Sequence, residues 1–183
     1  ALSKQSLNTP VEEDDNISSV PNFSSVPNSN RVGDDDEIEN LRTACMISDK
    51  ALEETIPYIK KGVTELKILA RLEYNLKTGG ADDLSFETMV LSGAKTSLLH
   101  GKASSKKIEK GDFILFDFGA LYKGYHADIS RTFVFGKADK LQKEMYDTIF
   151  RAQAAGCQAV KDGVHGTKAD KAVRKEIDKK FIE

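Results

Sequence analysis

Two aspartates eleven residues apart, Asp117 and Asp128, stand in "FDFGALYKGYHADISRT", a stretch otherwise rich in aromatic and branched residues. Such a composition reads as two strands joined by a tight turn. Centring the turn on Tyr122-Lys123, with Gly124 relieving the bend, sets Asp117 opposite Asp128 on one sheet face. Side chains directly opposed in an antiparallel pair lie about 5 Å apart, and like charges there are unfavourable. At an effective dielectric near 20 the repulsion is roughly 3 kcal/mol. A one-residue shift of register at the glycine would make the contact diagonal and still keep the two groups close. A proton on one carboxylate, a basic side chain between them or a bound cation would relieve the repulsion. Arg131 is a candidate base, but it lies an odd number of residues from Asp128 and leans to the other face. Carboxylate oxygens suit hard or borderline divalent metals, and a carboxylate bridging two ions about 3.5–4 Å apart is a recurring hydrolytic arrangement. Spacing alone leaves metal binding and solvated or ion-paired structural aspartates both open.

The elements that must position this pair are legible as changes of period. A helix is expected from near Asp35, with Ile38, Leu41, Cys45, Leu52, Ile56 and Ile59 on one face, Pro57 distorting its last turns and Gly62 stopping it. Thr64 then caps a second helix carrying Leu66, Leu69, Leu72 and Leu76, which Gly79-Gly80 ends. "FETMVLSG" reads as a strand, followed by "SLLHG" and a basic loop in which Lys102, Lys106, Lys107 and Lys110 are expected to be solvated. After Gly136, Asp139 and Gln142 form a capping-box pattern, with Leu141, Met145, Ile149 and Ala152 as the stripe. Gly163 closes that helix, and Thr167 with Asp170 suggests the start of another.

"IKKGVTELKILARLEYNL" and "VKDGVHGTKADKAVRKEI" share a plan of helix end, Lys-x-Gly-Val and new helix, their glycines 101 residues apart. Taken as a duplication, the pattern expects the chain to stop partway through its second repeat.

The 183 residues carry a net charge of −2, which gives no electrostatic case for nucleic acid or an anionic membrane. No apolar run reaches the length of a membrane span, and "ALSKQSLNTPVEEDDN" lacks the apolar core of a secretory signal, so a cytoplasmic protein is expected. Cys45 and Cys157 are read as small buried residues rather than a disulfide. Residues 1–34, rich in Ser, Asn and Pro, are read as a linker or disordered tail. Neither a zinc-protease helix motif, a cysteine cluster of zinc spacing, a nucleophile elbow nor a phosphate loop is present.

The segments "DDDEIENLRTA", "FETMVLSGAKTSLLHG", "KKIEKGDFILFDFGALYKGYHADISRTFVFG" and "LQKEMYDTIFRAQAAG" together resemble the pita-bread metallopeptidases. "DFGA" followed by "GY" and "DISRT" points to the Xaa-Pro branch, first to Xaa-Pro aminopeptidase and next to Xaa-Pro dipeptidase, rather than the methionine branch. The resemblance implies an α+β fold of the creatinase/aminopeptidase type, with residues 35–183 as the first half of the catalytic domain plus the start of the second. It implies two divalent metal ions, with manganese favoured and cobalt or zinc allowed. Five residues (Asp, Asp, His, Glu, Glu) hold them, and Asp117 and Asp128 match the first two. His100 in "LLHG" matches the histidine that contacts the substrate, and a water activated between the ions would be the nucleophile. The implied substrate is a peptide with proline second, and a homodimer is an allowed assembly of the full-length protein.

The sequence departs from the family pattern at Leu99, where proline usually stands, and it has no counterpart of the later His, Glu and Glu. The chain by itself is therefore expected to be inactive. A metal-free pita-bread binding module and a methionine aminopeptidase are the competing expectations. His126 is expected to be a tuning or surface residue, and His165 a solvated one.

Overall fold

The computed structural model describes residues 17–18 and 35–181. The tail expected over 1–34 lies outside the described residues, except for Ile17–Ser18, which form a two-residue strand, β1. Helix α1 spans Asp35–Thr55, its first turn holding Asp35, Asp36 and Glu37 at the positive end of the helix dipole. Ile56–Tyr58 then tighten into a 3-10 turn at Pro57, which has no N–H to continue the α-helical ladder. Thr64 caps α2 (Glu65–Thr78) as expected, its Oγ1 accepting from the Lys67 N–H at 3.3 Å.

The buried faces of these two helices differ from the predicted stripes. On α1 the buried residues are Ala44, Ile47, Ser48, Ala51, Leu52 and Thr55, whereas Leu41 and Cys45 are exposed. Small side chains bring α2 close enough for Asn75 Nδ2 to donate to Ala51 O at 3.3 Å and Thr55 Oγ1 at 3.0 Å, both buried. On α2, Glu65 and Ile68 are buried with Leu72 and Leu76, and Leu66 faces solvent.

The strands are β2 (Asp83–Leu84), β3 (Met89–Ser92), β4 (Phe113–Phe118), β5 (Ala120–Tyr122), β6 (Tyr125–His126) and β7 (Ile129–Phe135). They form a four-stranded antiparallel sheet of order β1-β7-β4-β3 and a three-stranded one of order β2-β5-β6. The hairpin turns on Lys123-Gly124, with φ of 48° and 83°. Two successive left-handed residues define the primed turn whose twist suits a two-residue hairpin, and Gly124 enters that region without a Cβ penalty. Tyr122 therefore faces Tyr125, and the same register carries through to Asp117 facing Ser130.

Strand alternation gives the larger sheet two unlike faces. Val90, Ile114, Phe116, Phe118 and Phe133 join Ile47, Leu52, Ile68, Leu72 and Leu76 in the core, with the Phe116 and Phe133 rings edge to face at 5.9 Å. The opposite face carries Met89, Leu91, Phe113, Leu115, Asp117, Ser130 and Thr132 and is only partly covered.

Residues 138–183 form a separate compact unit. In it, α3 (Lys140–Ala159) opens with the expected capping box of Asp139 and Gln142. Its buried residues are Thr148, Ala152 and Gly156, and a Cβ on Gly156 would lie 2.6 Å from Val173 Cγ2 of α4 (Gly166–Phe181), so small residues again make the helix contact. The predicted stripe residues Leu141, Met145 and Ile149 are exposed, as is Cys157, which was expected inside.

The repeated turn is real in its geometry. Val63 N–H donates to Lys60 O and Val164 N–H to Lys161 O, both at 3.1 Å, with φ of 85° at Gly62 and 72° at Gly163. His165, rather than Thr167, occupies the position equivalent to Thr64, its carbonyl accepting from Lys168 N–H at 2.9 Å. No helix of the described residues is long and apolar enough to cross a membrane.

Candidate metal and substrate site

Asp117 lies in the middle of the partly covered face, between Met89 on one side and Ser130 on the other. Ser130 Oγ donates to Asp117 Oδ1 at 2.8 Å, which fixes one oxygen and leaves Oδ2 without a hydrogen bond among the described residues. Asp128 is exposed, two residues before Ser130, and makes no hydrogen bond or ion pair among the described residues. The direct opposition expected of the two aspartates is thus replaced by a diagonal one, because the turn is centred one residue later than Tyr122-Lys123. Diagonal neighbours lie roughly 7–8 Å apart, where the repulsion falls to about 2 kcal/mol at a dielectric near 20 and further in water. The pair also stands on the open face, not in the sheet interior, so the charges keep part of their hydration.

Arg131 takes the other face, as its parity predicts. It is opposite Phe116, its Nη1 donates to Ser130 O at 2.9 Å, and its Nη2 lies 3.6 Å from Asp49 Oδ1 on α1. Burial pushes the Asp49 carboxyl above its usual range, and Arg131 offsets that only in part. Arg131 therefore serves a half-buried acid on the helix side instead of neutralising the aspartate pair.

The junction between the two aspartates is set by Gly119, which lies between β4 and β5. A Cβ there would sit 1.8 Å from Ala127 O, the carbonyl immediately before Asp128. Only glycine permits this approach of backbone to backbone. Ala120 N–H donates to Ser48 Oγ of α1 at 2.9 Å, so helix α1 holds the same junction from behind.

His100 is exposed, in the loop that follows the short 3-10 turn Gly93–Ser97. Gly101 N–H donates to Leu98 O at 3.2 Å, and a Cβ on Gly101 would meet Leu91 Cδ1 at 2.7 Å. Leu91 pairs with Leu115, two residues before Asp117 and on its face. The loop thus folds back over the sheet face that carries Asp117, although no hydrogen bond joins His100 to either aspartate. His126 is exposed, with Nδ1 3.2 Å from Ser85 O, and His165 is exposed near Thr167. Lys102 pairs with Glu87 at 2.8 Å and Lys106 with Asp112 at 2.6 Å, so those two members of the basic run have acidic partners close by.

Among the described residues no group of three or more His, Cys, Asp or Glu could hold a metal ion. Asp117 and Asp128 are a partial donor set that fits a hard divalent ion in chemistry, with Asp117 Oδ2 and both Asp128 oxygens free of hydrogen bonds among the described residues. Ser130 and Gly119 were not singled out in the sequence. Ser130 would follow from counting the register back from a Lys-Gly turn.

The larger sheet thus packs helices on one face and carries both aspartates on the other. The profile of metallopeptidase family M24 matches residues 39–183, and the chain belongs to that family. An Xaa-Pro dipeptidase of Pyrococcus furiosus is 39% identical over 146 residues, covering 80% of this chain and 42% of that protein. The structure of an X-Pro aminopeptidase from Thermotoga maritima superposes with a TM-score of 0.79 at 41% identity, covering 82% of this chain and 43% of the other. An Xaa-Pro dipeptidase from Bacillus anthracis gives 0.77 at 40% identity, covering 81% and 42%. The fold is accordingly the α+β pita-bread fold of these peptidases, and the chain spans about 40% of the length of the curated relatives it matches.

Proposed function

We propose that these residues are the first part of a proline-specific metallopeptidase of the cytoplasm, which hydrolyses the peptide bond before a proline. Asp117 and Asp128 would be two of five ligands to a pair of divalent ions, manganese by preference, and His100 would face the substrate. The observation that carries the proposal is the placement of Asp117, Asp128 and the His100 loop on one open sheet face, in a chain whose relatives are named Xaa-Pro peptidases. When bound, the two ions would supply Lewis-acid polarisation and an activated water for hydrolysis.

The residues present do the remaining work. Ser130 holds Asp117 Oδ1, which restrains the carboxylate and leaves Oδ2 available to an ion. Asp128 follows Ala127, whose carbonyl packs against Gly119, so its backbone is fixed at the next corner of the sheet. His100 would donate a hydrogen bond to the oxygen on which charge develops as the carbonyl is attacked.

These 183 residues supply two of the five ligands, and alone they are expected to give no Mn²⁺-dependent cleavage of an Xaa-Pro peptide. Joined to a segment that supplies the remaining His and two Glu, they are expected to cleave Xaa-Pro but not Met-Ala peptides, with Asp117→Asn and Asp128→Asn both inactive. Turnover by the 183-residue chain alone, or preference for Met-Ala, would remove the proposal.

Ser130→Ala provides a finer check. Losing the hydroxyl frees the Asp117 rotamer, and partners of metal-ligating groups commonly contribute 10–100-fold to affinity. Mn²⁺ affinity of the chain, followed by electron paramagnetic resonance titration, is expected to fall about tenfold. An unchanged affinity would mean that Ser130 does not orient Asp117.

A further inference from the structure

We propose that Glu65 is the positioning residue for the His100 loop, which rests on the reading of His100 as the substrate-facing histidine. Glu65 is fully buried at the first turn of α2, yet the predicted stripe of that helix has no use for a carboxylate. Its Oε1 accepts from Ser92 N–H and Ser92 Oγ, both at 2.8 Å. Its Oε2 accepts from Lys95 Nζ at 2.5 Å and from Ser104 N–H and Oγ, both at 2.9 Å. Lys95 Nζ donates further to Lys102 O and Ser104 Oγ, both at 2.9 Å.

These contacts have a topological meaning. Ser92 and Lys95 precede His100, and Lys102 and Ser104 follow it. One carboxylate and one ammonium thus tie both stems of the loop together at its base, leaving residues 96–101 as a short closed span with His100 near its end. The helical hairpin does not itself require the group. The repeated turn of residues 160–168 has the same hydrogen bonds and left-handed glycine with Gly166 at the equivalent position. Glu65 is therefore particular to the half that carries the loop.

Glu65→Gln keeps the shape but turns an amide NH₂ toward groups that are themselves donors, so one stem of the loop must be released. In the 183-residue chain, amide exchange of residues 94–104 is expected to accelerate at least about tenfold, the effect of roughly 1.4 kcal/mol in a local opening. Exchange at Ile68, Leu72 and Phe116 should stay unchanged, and the His100 ring resonances should shift toward averaged values. Ser104→Ala, which removes one donor and endangers folding less, is expected to give a smaller acceleration confined to the same residues. Unchanged loop exchange in both variants, or acceleration shared equally with the core, would overturn the clamp. Loosened exchange in Glu65→Gln, with undiminished Xaa-Pro cleavage once the missing ligands are supplied, would keep the clamp and instead remove His100 from the substrate.

Discussion

Gly119→Ala is expected to cost about 3 kcal/mol of stability, at the upper end of what an added methyl group usually costs in a packed region. The added Cβ would sit 1.8 Å from Ala127 O and 2.6 Å from Ala127 C, with Ser85 Oγ at 3.0 Å. Its two nearest neighbours are backbone atoms, so no rotamer change relieves the clash. Ala127 cannot retreat freely, because its N–H donates to Ala120 O at 3.0 Å, and Ala120 is tied in turn to Ser48. The strain is released by opening the β4–β5 corner, which displaces Asp128 relative to Asp117. Urea unfolding of the chain should show the stability loss, and Mn²⁺ affinity should fall with it. A Gly119→Ala chain of wild-type stability would show that the corner is softer than the contact implies.

Glu65→Leu is expected to cost about 3 kcal/mol, because each buried donor left without an acceptor costs about 1–3 kcal/mol, while the partly exposed Lys95 regains water. Leucine fills comparable volume but leaves the Ser92 and Ser104 donors and the Lys95 ammonium without their shared acceptor. The effect depends on pH. Burial alone would raise the Glu65 carboxyl, but hydrogen bonds from Lys95, Ser92 and Ser104 outweigh it and hold the group below its ordinary value. A carboxylate whose folded pKa is depressed contributes fully above the ordinary glutamate range and loses that contribution as pH falls through the depressed value. The stability gap between wild type and Glu65→Leu should therefore be widest near neutrality and narrow in acid, as read from urea midpoints between pH 7 and pH 3. A gap that stays constant or widens in acid would mean that the carboxylate is not the stabilising form.

That Asp117 and Asp128 share a sheet face was legible in the sequence because strand parity survives an error of register. Asp117 and Asp128 share a face whether the turn is centred on Tyr122-Lys123 or on Lys123-Gly124. What the wrong centre hid was Ser130, the residue opposite Asp117. The positive φ of the second turn residue is the physical reason that Gly124 belongs inside the turn and not after it. Helix existence and caps were also readable, because Thr64, Asp139 and Gln142 act within one turn of themselves. Helix faces were less so. Ala44, Ser48, Ala51 and Thr55 on α1, and Thr148, Ala152 and Gly156 on α3, are buried because small groups let a neighbouring helix or strand approach, and hydrophobicity does not register that. Leu41, Leu66, Leu141, Met145 and Ile149, which hydrophobic period selects first, are exposed. Glu65 was missed for the opposite reason. Its donors come from Ser92, Lys95 and Ser104, 27 to 39 residues away, a distance over which local pattern carries no signal.

The central claim is that Asp117 and Asp128 are ligands of one metal site. Paramagnetic broadening of the amide spectrum of the 183-residue chain by Mn²⁺ tests it most directly. The predicted result is broadening centred on Asp117, Asp128 and Ser130 at low Mn²⁺, lost in both Asp117→Asn and Asp128→Asn. Broadening centred instead on other acids such as Asp82 and Asp83, or persisting in both variants, would contradict it.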